Sequence, residues 1–381
     1  MNKRTHATVH DERPGVKETH AKWYDEHYSL LWNYLDANLP KVGKIQNPNL
    51  IVWPTYSTSN TSTSLWAGDT AATGHGWYAP PDPKVQATRT LVGNYGFFTA
   101  WIIGNYGHYL HDHLPSLAYL RRTALNDYGE DARFILPDYS RYKELVNFTD
   151  PEFYKRIDWV AFGEVIKIEG EVTYLQLNCL PEFGGHALMK YLREWLVEAH
   201  PFDQADFEAN KHIVFYNRAG TSRTRILDST QQEQVLAIIR AAMDRHGLKD
   251  QEIVIFSGKD TNGDQVPIEK QFQIFRRASA VIGPHGSGIS NMIWTNPNPK
   301  GCEARTKILE FVPGADVAQV HVLYAGYYRS FRALPLDYHE LFYQVPSTDT
   351  HTFVNLTELE NGLNEIWGGN QTIQIEAAVL R

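Results

Sequence analysis

The second half of the chain alternates short apolar runs with amphipathic stretches of helical period, and this alternation limits the fold more than any other feature. Ile213-Val214-Phe215-Tyr216 reads as a strand, Ser229 to His246 as a helix with apolar positions at 235, 236, 238, 239 and 242, and Glu252 to Phe256 as a strand. A helix over Gln271 to Ala278 and strands at Ala280 to Ile282 and Lys307 to Val312 follow. Strands separated by such helices predict βαβ units and a parallel sheet. The ligands of open α/β sheets sit beyond the carboxyl ends of the strands, so the residues just after each strand carry the interest.

The first half shows the same signature less regularly. Ala21 to Leu39 has aromatic and leucine positions at helical spacing up to Pro40, and Leu50 to Trp53 reads as a strand closed by Pro54. Residues 55–88, rich in Ser, Thr, Gly and Pro, read as long irregular loops. Phe97 to Ile103 is an apolar run, and His108 to Thr123 is a helical stripe interrupted by Pro115. Phe134 to Leu136 and Val172 to Leu177 read as strands, and Gly185 to His200 as an amphipathic helix. A length of 381 residues predicts about two domains, with the polar stretch 201–211 between them. The expected division is an N-terminal extension and helix over 1–45, a first α/β domain over 46–205 and a second over 206–335. A C-terminal segment, 336–381, is expected to pack back on the first domain.

Composition excludes some partners. With 36 Lys+Arg against 44 Asp+Glu the net charge is −8, which argues against a nucleic-acid backbone or an anionic membrane as the main partner. The sequence has no apolar run of about 18 residues, so no membrane span is expected, and its N-terminus lacks the apolar core of a signal peptide. Two cysteines, Cys179 and Cys302, cannot staple a chain this long, which points to a reducing, cytoplasmic location. In that setting the N-x-[ST] sequons at Asn60, Asn147, Asn355 and Asn370 read as chance. The 21 Tyr and 10 Trp suit sugar stacking, although an aromatic-rich core would look the same.

Three stretches carry chemistry. In Ala280-Val-Ile-Gly-Pro-His-Gly-Ser-Gly-Ile-Ser-Asn-Met-Ile-Trp294 a strand runs into a small-residue turn, with a helix expected from Ser287 or Gly288. Glycines at 283, 286 and 288 would let the backbone approach a ligand, and the helix dipole would face an anion, with His285 as a further donor to a phosphate. Arg218 leaves the end of the 213–216 strand, and Arg223 and Arg225 lie in the following loop. Guanidinium forks suit bidentate phosphate contacts, so beside the 283–288 turn they make a diphosphate clamp; a solvated loop is the alternative. Glu310, in an otherwise apolar strand, could accept from ribose hydroxyls or form a buried ion pair.

The third stretch is Gly104-Asn-Tyr-Gly-His-Tyr-Leu-His-Asp-His-Leu-Pro115. His108 and Asp112, four apart, share a helix face, and a carboxylate beside an imidazole makes a general base near neutral pH. The group His108, His111, Asp112 and His113 also admits a metal reading, but it lacks the H-E-x-x-H pattern and Pro115 disturbs the helix. A serine nucleophile at Ser287 is disfavoured, because a G-x-S-x-G elbow needs Gly where His285 stands.

Taken in order, Asn105-x-x-His108-x-x-x-Asp112 with Leu114-Pro115, Arg218 with Arg225-Ile-Leu-Asp228, Val281-Ile-Gly-Pro-His-Gly-Ser-Gly-Ile-Ser-Asn-Met292 and Ile308-Leu-Glu-Phe-Val-Pro313 resemble glycosyltransferase family 61. Gly326-Tyr-Tyr and Val354-Asn-Leu with Leu359 are similar to its C-terminal pattern, so the resemblance runs from about residue 95 to 365. The family includes protein O-GlcNAc transferases, plant β-1,2-xylosyltransferases, xylan-decorating enzymes and capsule-type bacterial enzymes. The resemblance implies an α/β fold of GT-B type, with two Rossmann-like domains facing across a cleft. It also implies an inverting transfer from a nucleotide sugar, often with no essential metal. Asp228 and Gly107 depart from the family, which often has Asn and a second aromatic there.

The resulting expectation is a glycosyltransferase that moves a sugar from a UDP-sugar, such as UDP-xylose or UDP-GlcNAc, to a hydroxyl of a glycan or glycoconjugate, with no essential cofactor. Asp112 is the expected base and His108 its orienting partner, with the reverse nearly as well supported. Arg218, Arg223, Arg225, His285, Gly286, Ser287, Gly288 and Glu310 are expected on the donor, Asn105 and Tyr109 on the acceptor, and the aromatics Trp66 and Trp77 also as holding the acceptor. The rival readings are a catalytically inactive carbohydrate- or nucleotide-binding protein and a metal-dependent hydrolase.

Overall fold

The computed structural model describes residues 41–52, 63–67, 70–73, 86–98, 106–176, 181–202, 211–218, 227–295, 306–313, 334, 336–343 and 354–379. The expected helix over 21–39, and Trp77, Asn105, Arg223 and Arg225, lie outside them. The chain divides into two compact units between Pro201 and Phe202.

The first unit contains β1 (Lys41–Gln46), β2 (Asn49–Val52), β3 (Thr63–Ala67), β4 (Thr70–Thr73), β5 (Arg89–Val92) and β6 (Tyr95–Phe98). Then come α1 (Leu114–Tyr128), β7 (Arg133–Pro137), α2 (Ser140–Thr149), α3 (Pro151–Tyr154), β8 (Ile157–Val160), β9 (Val165–Glu169), β10 (Glu171–Gln176) and α4 (Pro181–Ala199). One sheet has the order β1-β10-β6-β7-β8; β10, β6, β7 and β8 are parallel, and β1 joins antiparallel to β10. Successive crossovers through α1 and through α2–α3 make this a βαβ layer. Phe97, Phe98 and Phe134 on the strands and Leu117 and Leu120 on α1 are buried to 1% exposure or less. Each such side chain contributes about 1.5–3 kcal/mol on leaving water.

A second sheet, β4-β3-β2-β9-β5, is antiparallel except for β5 beside β9. It corrects the reading of 55–88 as wholly irregular: β3 and β4 form a hairpin within that stretch, and Trp66 lies on β3. Ser, Thr and Ala alternate too weakly there to announce a strand. β1 likewise belongs to the first unit's sheet and not to a separate N-terminal extension.

The second unit holds β11 (His212–Tyr216), α5 (Ser229–Arg245), β12 (Glu252–Phe256), α6 (Ile268–Arg276), β13 (Ala278–Pro284), β14 (Lys307–Pro313), β15 (Asp337–Tyr343) and α7 (Leu356–Val379). Its sheet is parallel throughout, in the order β12-β11-β13-β14-β15. In sequence this is second, first, third, fourth, fifth, a doubly wound order whose direction reverses between β11 and β13. One core joins Ile213, Phe215, Ile282, Leu309 and Phe311 of the sheet to Val235 and Ile239 of α5 and Leu359 and Leu363 of α7.

Within this unit β15 completes the sheet and α7 packs on α5. The turn after β13 leads into six residues of 3₁₀-helix, Ile289–Trp294, in place of an α-helix. So short a coil gathers too few aligned peptides for a substantial dipole, and the anion-binding argument there falls back on side chains and turn amides.

Candidate active site

In the first unit, one short helical turn (Tyr106–His108) and a π-helical turn (Tyr109–His113) lead into α1. The Leu114 N–H reaches the Tyr109 carbonyl, five residues back, which is the wide π bond. The widening falls beside Pro115, which has no N–H to continue the ladder. Single π turns of this kind are frequent at functional sites.

That turn brings three of the expected side chains together. Asp112 Oδ2 lies 2.5 Å from His108 Nδ1, and Oδ1 lies 2.8 Å from His111 Nδ1. Ser116 Oγ donates to the Asp112 carbonyl at 2.7 Å. The Asp112 side chain is 2% exposed, against 15% for His108 and 10% for His111. Burial alone would raise the Asp112 carboxyl, but the charge of His111 and the hydrogen bonds from both histidines outweigh it. The group is held well below the usual carboxylate range. A carboxylate held so low and spent on two imidazoles is a weak proton acceptor, but it orients an imidazole well.

One ligand atom from each of His108, His111 and Asp112 lies within 4.8 Å of the others, so these three are the described group able to hold a cation. His113 is not among them: it is 2% exposed and sits among Phe98, Tyr109 and Tyr142. Tyr109, expected on the acceptor, lies inside the first unit. It is fully buried and stacked on Tyr142 with ring centroids 4.7 Å apart, and burial pushes its hydroxyl well above the ordinary tyrosine range.

In the second unit the reversal between β11 and β13 sets two expected stretches at neighbouring strand ends: Asn217-Arg218 after β11 and His285 to Gly288 after β13. The crevice beyond such a reversal is where doubly wound sheets bind their ligands. Arg218 is half-buried there. The glycines of the turn lie close against Tyr216. A Cβ on Gly283 would stand 2.1 Å from the Tyr216 carbonyl oxygen, and one on Gly288 2.3 Å from the Tyr216 ring. Gly286 is also closed off, by the Tyr216 hydroxyl at 2.8 Å. The missing side chains make room for Tyr216, itself 2% exposed.

Glu310, on β14, pairs in register with Gly283 and is fully buried. Its Oε1 lies 2.6 Å from His285 Nδ1, and its Oε2 accepts from the Tyr338 hydroxyl. Both oxygens are engaged inside the protein, and Glu310 holds the His285 ring. The His285 N–H donates to the Phe311 carbonyl at 2.7 Å, fixing the backbone as well. Ser287 is half-buried, and its carbonyl accepts from Ser290 Oγ at 2.6 Å. Asp228 caps α5 by accepting from the Gln231 N–H at 2.8 Å, a task Asn would also perform.

Sequence reasoning passes over three contributors and reads a fourth, His111, only as a metal ligand. Tyr338 is one, and Asn217, which bonds across to Leu227, is another. Asn291 ties Gly288, Gln271 and Trp294 together behind the turn. A polar residue ending an apolar strand, as Asn217 does after Val214-Phe215-Tyr216, is the one signal that was legible for any of them.

Among the described residues no helix is long and apolar enough to cross a membrane. Among curated proteins, none matches the chain. The family model described as Glycosyltransferase 61 matches residues 106–302, from the π turn through the glycine turn and more than half of the 381 residues, and the chain belongs to the glycosyltransferase 61 family.

Proposed function

We propose that the protein is an inverting glycosyltransferase of GT-B type that transfers a sugar from a UDP-sugar to a hydroxyl of a glycan or glycoconjugate without an essential metal. A cytoplasmic location, from the cysteine content, belongs to the same proposal. The observation that carries the reading is the His108–Asp112 contact of 2.5 Å, which supplies a carboxylate-oriented imidazole on a partly exposed side chain. In the proposed step His108 takes the acceptor hydroxyl proton. The acceptor oxygen bonds to the anomeric carbon as the bond from that carbon to the diphosphate breaks, and the electron pair leaves with the diphosphate. Asp112 remains ionised and steadies the imidazolium, so the base and its partner exchange the roles first expected of them. Arg218, His285 and the amides of Gly286, Ser287 and Gly288 meet the leaving charge, together with Arg223 and Arg225, which follow Arg218 in the sequence. Asn105 is assigned to the acceptor.

A second reading has one observation in its favour, the cation-capable group of His108, His111 and Asp112. Thermal melting with UDP, GDP and CMP, each with and without EDTA, separates the two. A ligand at 100 times its Kd adds about 2.7 kcal/mol to stability. The glycosyltransferase reading expects a UDP shift that survives EDTA. No shift with any nucleotide would leave an inactive binding protein, and loss of activity with EDTA, restored by zinc or manganese, would favour the metal-dependent hydrolase.

A further inference from the structure

Asn217 is 9% exposed, yet its side-chain amide is wholly occupied. Nδ2 donates to the Leu227 carbonyl at 3.1 Å and to Gln232 Oε1 at 2.6 Å, while Oδ1 accepts from the Leu227 N–H at 3.0 Å. Its own N–H donates to the Phe256 carbonyl at 3.1 Å, so main chain and side chain are both fixed. An amide that pairs both backbone groups of another residue imitates a rung of a β-ladder. Here the rung joins the end of β11 to the residue before the α5 cap, ten positions on. It falls one residue before Arg218, at the reversal of the sheet. A fully satisfied buried amide has one permitted orientation, so the point at which the chain leaves β11 is set.

We propose that Asn217 is a positioning residue for the donor diphosphate, holding the backbone of Arg218 in its binding position before the nucleotide arrives. The inference rests on the second unit being the donor side. An arginine whose backbone is fixed in advance loses less freedom on binding, so the tie acts on affinity beyond any effect on folding.

The test is calorimetric titration of UDP and GDP into the full chain, as wild type, Asn217→Ala, Arg218→Ala and the double variant, with a thermal melt of each. Asn217→Ala is expected to weaken the bound nucleotide about tenfold, the scale of one or two hydrogen bonds. The double variant is expected to bind within about twofold of Arg218→Ala, because the effect passes through that residue. Gln232→Leu, which removes one bond of three, is expected to weaken binding about threefold and serves if Asn217→Ala does not fold. Wild-type affinity in Asn217→Ala or Gln232→Leu, or full additivity in the double variant, overturns the proposal while wild-type nucleotide binding leaves the donor side standing. A wild-type chain that binds neither UDP nor GDP overturns the donor-side reading, and this inference with it.

Discussion

Asp112 Oδ2 and His108 Nδ1 face each other at 2.5 Å across one wide helical turn, with the carboxylate almost wholly buried and the imidazole partly exposed. The asymmetry divides the labour. The buried partner keeps its charge and cannot reach solvent, and the exposed partner has the ring that can exchange a proton. Oδ1 is taken by His111, so the carboxylate plane is fixed from both sides.

If His108 is the base, His108→Ala should lower turnover by about 10²–10⁴ while leaving UDP affinity within twofold. Asp112→Asn should lose a comparable amount, because an amide nitrogen turned to Nδ1 would force the proton onto Nε2. Donor hydrolysis without acceptor, followed by UDP release, reads both variants. Full turnover in His108→Ala would remove the imidazole from the chemistry.

The same carboxylate sets an acid limit to stability. The folded Asp112 carboxyl lies below its unfolded value, so its contribution is fully present above the ordinary carboxyl value of about 3.9 and is lost as pH falls from there. Asp337 acts in the same direction: burial raises it, but hydrogen bonds from His339 and Lys307 hold it lower. The melting temperature of wild type should therefore drop more steeply between pH 5 and about 3 than that of Asp112→Asn. Parallel curves would show that Asp112 titrates alike in the folded and unfolded chains.

Much of this was legible in the sequence. Val214-Phe215-Tyr216, Val281-Ile282 and Ile308-Leu309 announced central parallel strands, since strands buried on both faces are nearly all apolar. The i,i+4 spacing of His108 and Asp112 announced their contact. β15 was illegible because Asp337-Tyr338-His339-Glu340 mixes charge with aromatics, and that pattern is accommodated by partners distant in sequence, Glu310 for Tyr338 and Lys307 for Asp337, with His339 meeting Asp337 beside it. The glycine turn was legible as a turn but not in purpose. Its close neighbour, Tyr216, is 67 residues away in sequence and beside it only through the sheet pairing.

That neighbour makes the turn testable. Gly288→Ala places a methyl against the Tyr216 ring and should destabilise the second unit by about 1–3 kcal/mol, the scale of overpacking. Tyr216→Leu should relieve part of that cost, so a double-mutant cycle in chemical denaturation should show coupling between the two sites. Gly283→Ala should not be rescued by Tyr216→Leu, because its methyl meets the Tyr216 backbone oxygen. Additive costs for Gly288→Ala and Tyr216→Leu would mean that the glycine serves something other than this packing.

His285 offers the sharpest test of how the donor clamp is held. Its imidazole is fixed by Glu310, and Glu310 is fixed in turn by the Tyr338 hydroxyl, a chain of three side chains from β15 through β14 to the turn. If the chain exists to aim His285 at phosphate, Glu310→Gln should weaken UDP binding nearly as much as His285→Ala. Tyr338→Phe should weaken it less, because one carboxylate oxygen still holds the ring. In a His285→Ala background neither change should matter further, since there is no ring left to aim. Isothermal titration of UDP across these variants reads the order directly. Should Glu310→Gln bind UDP as wild type does while His285→Ala does not, the imidazole would be aimed by its backbone bond to Phe311, and the carboxylate would serve only the core.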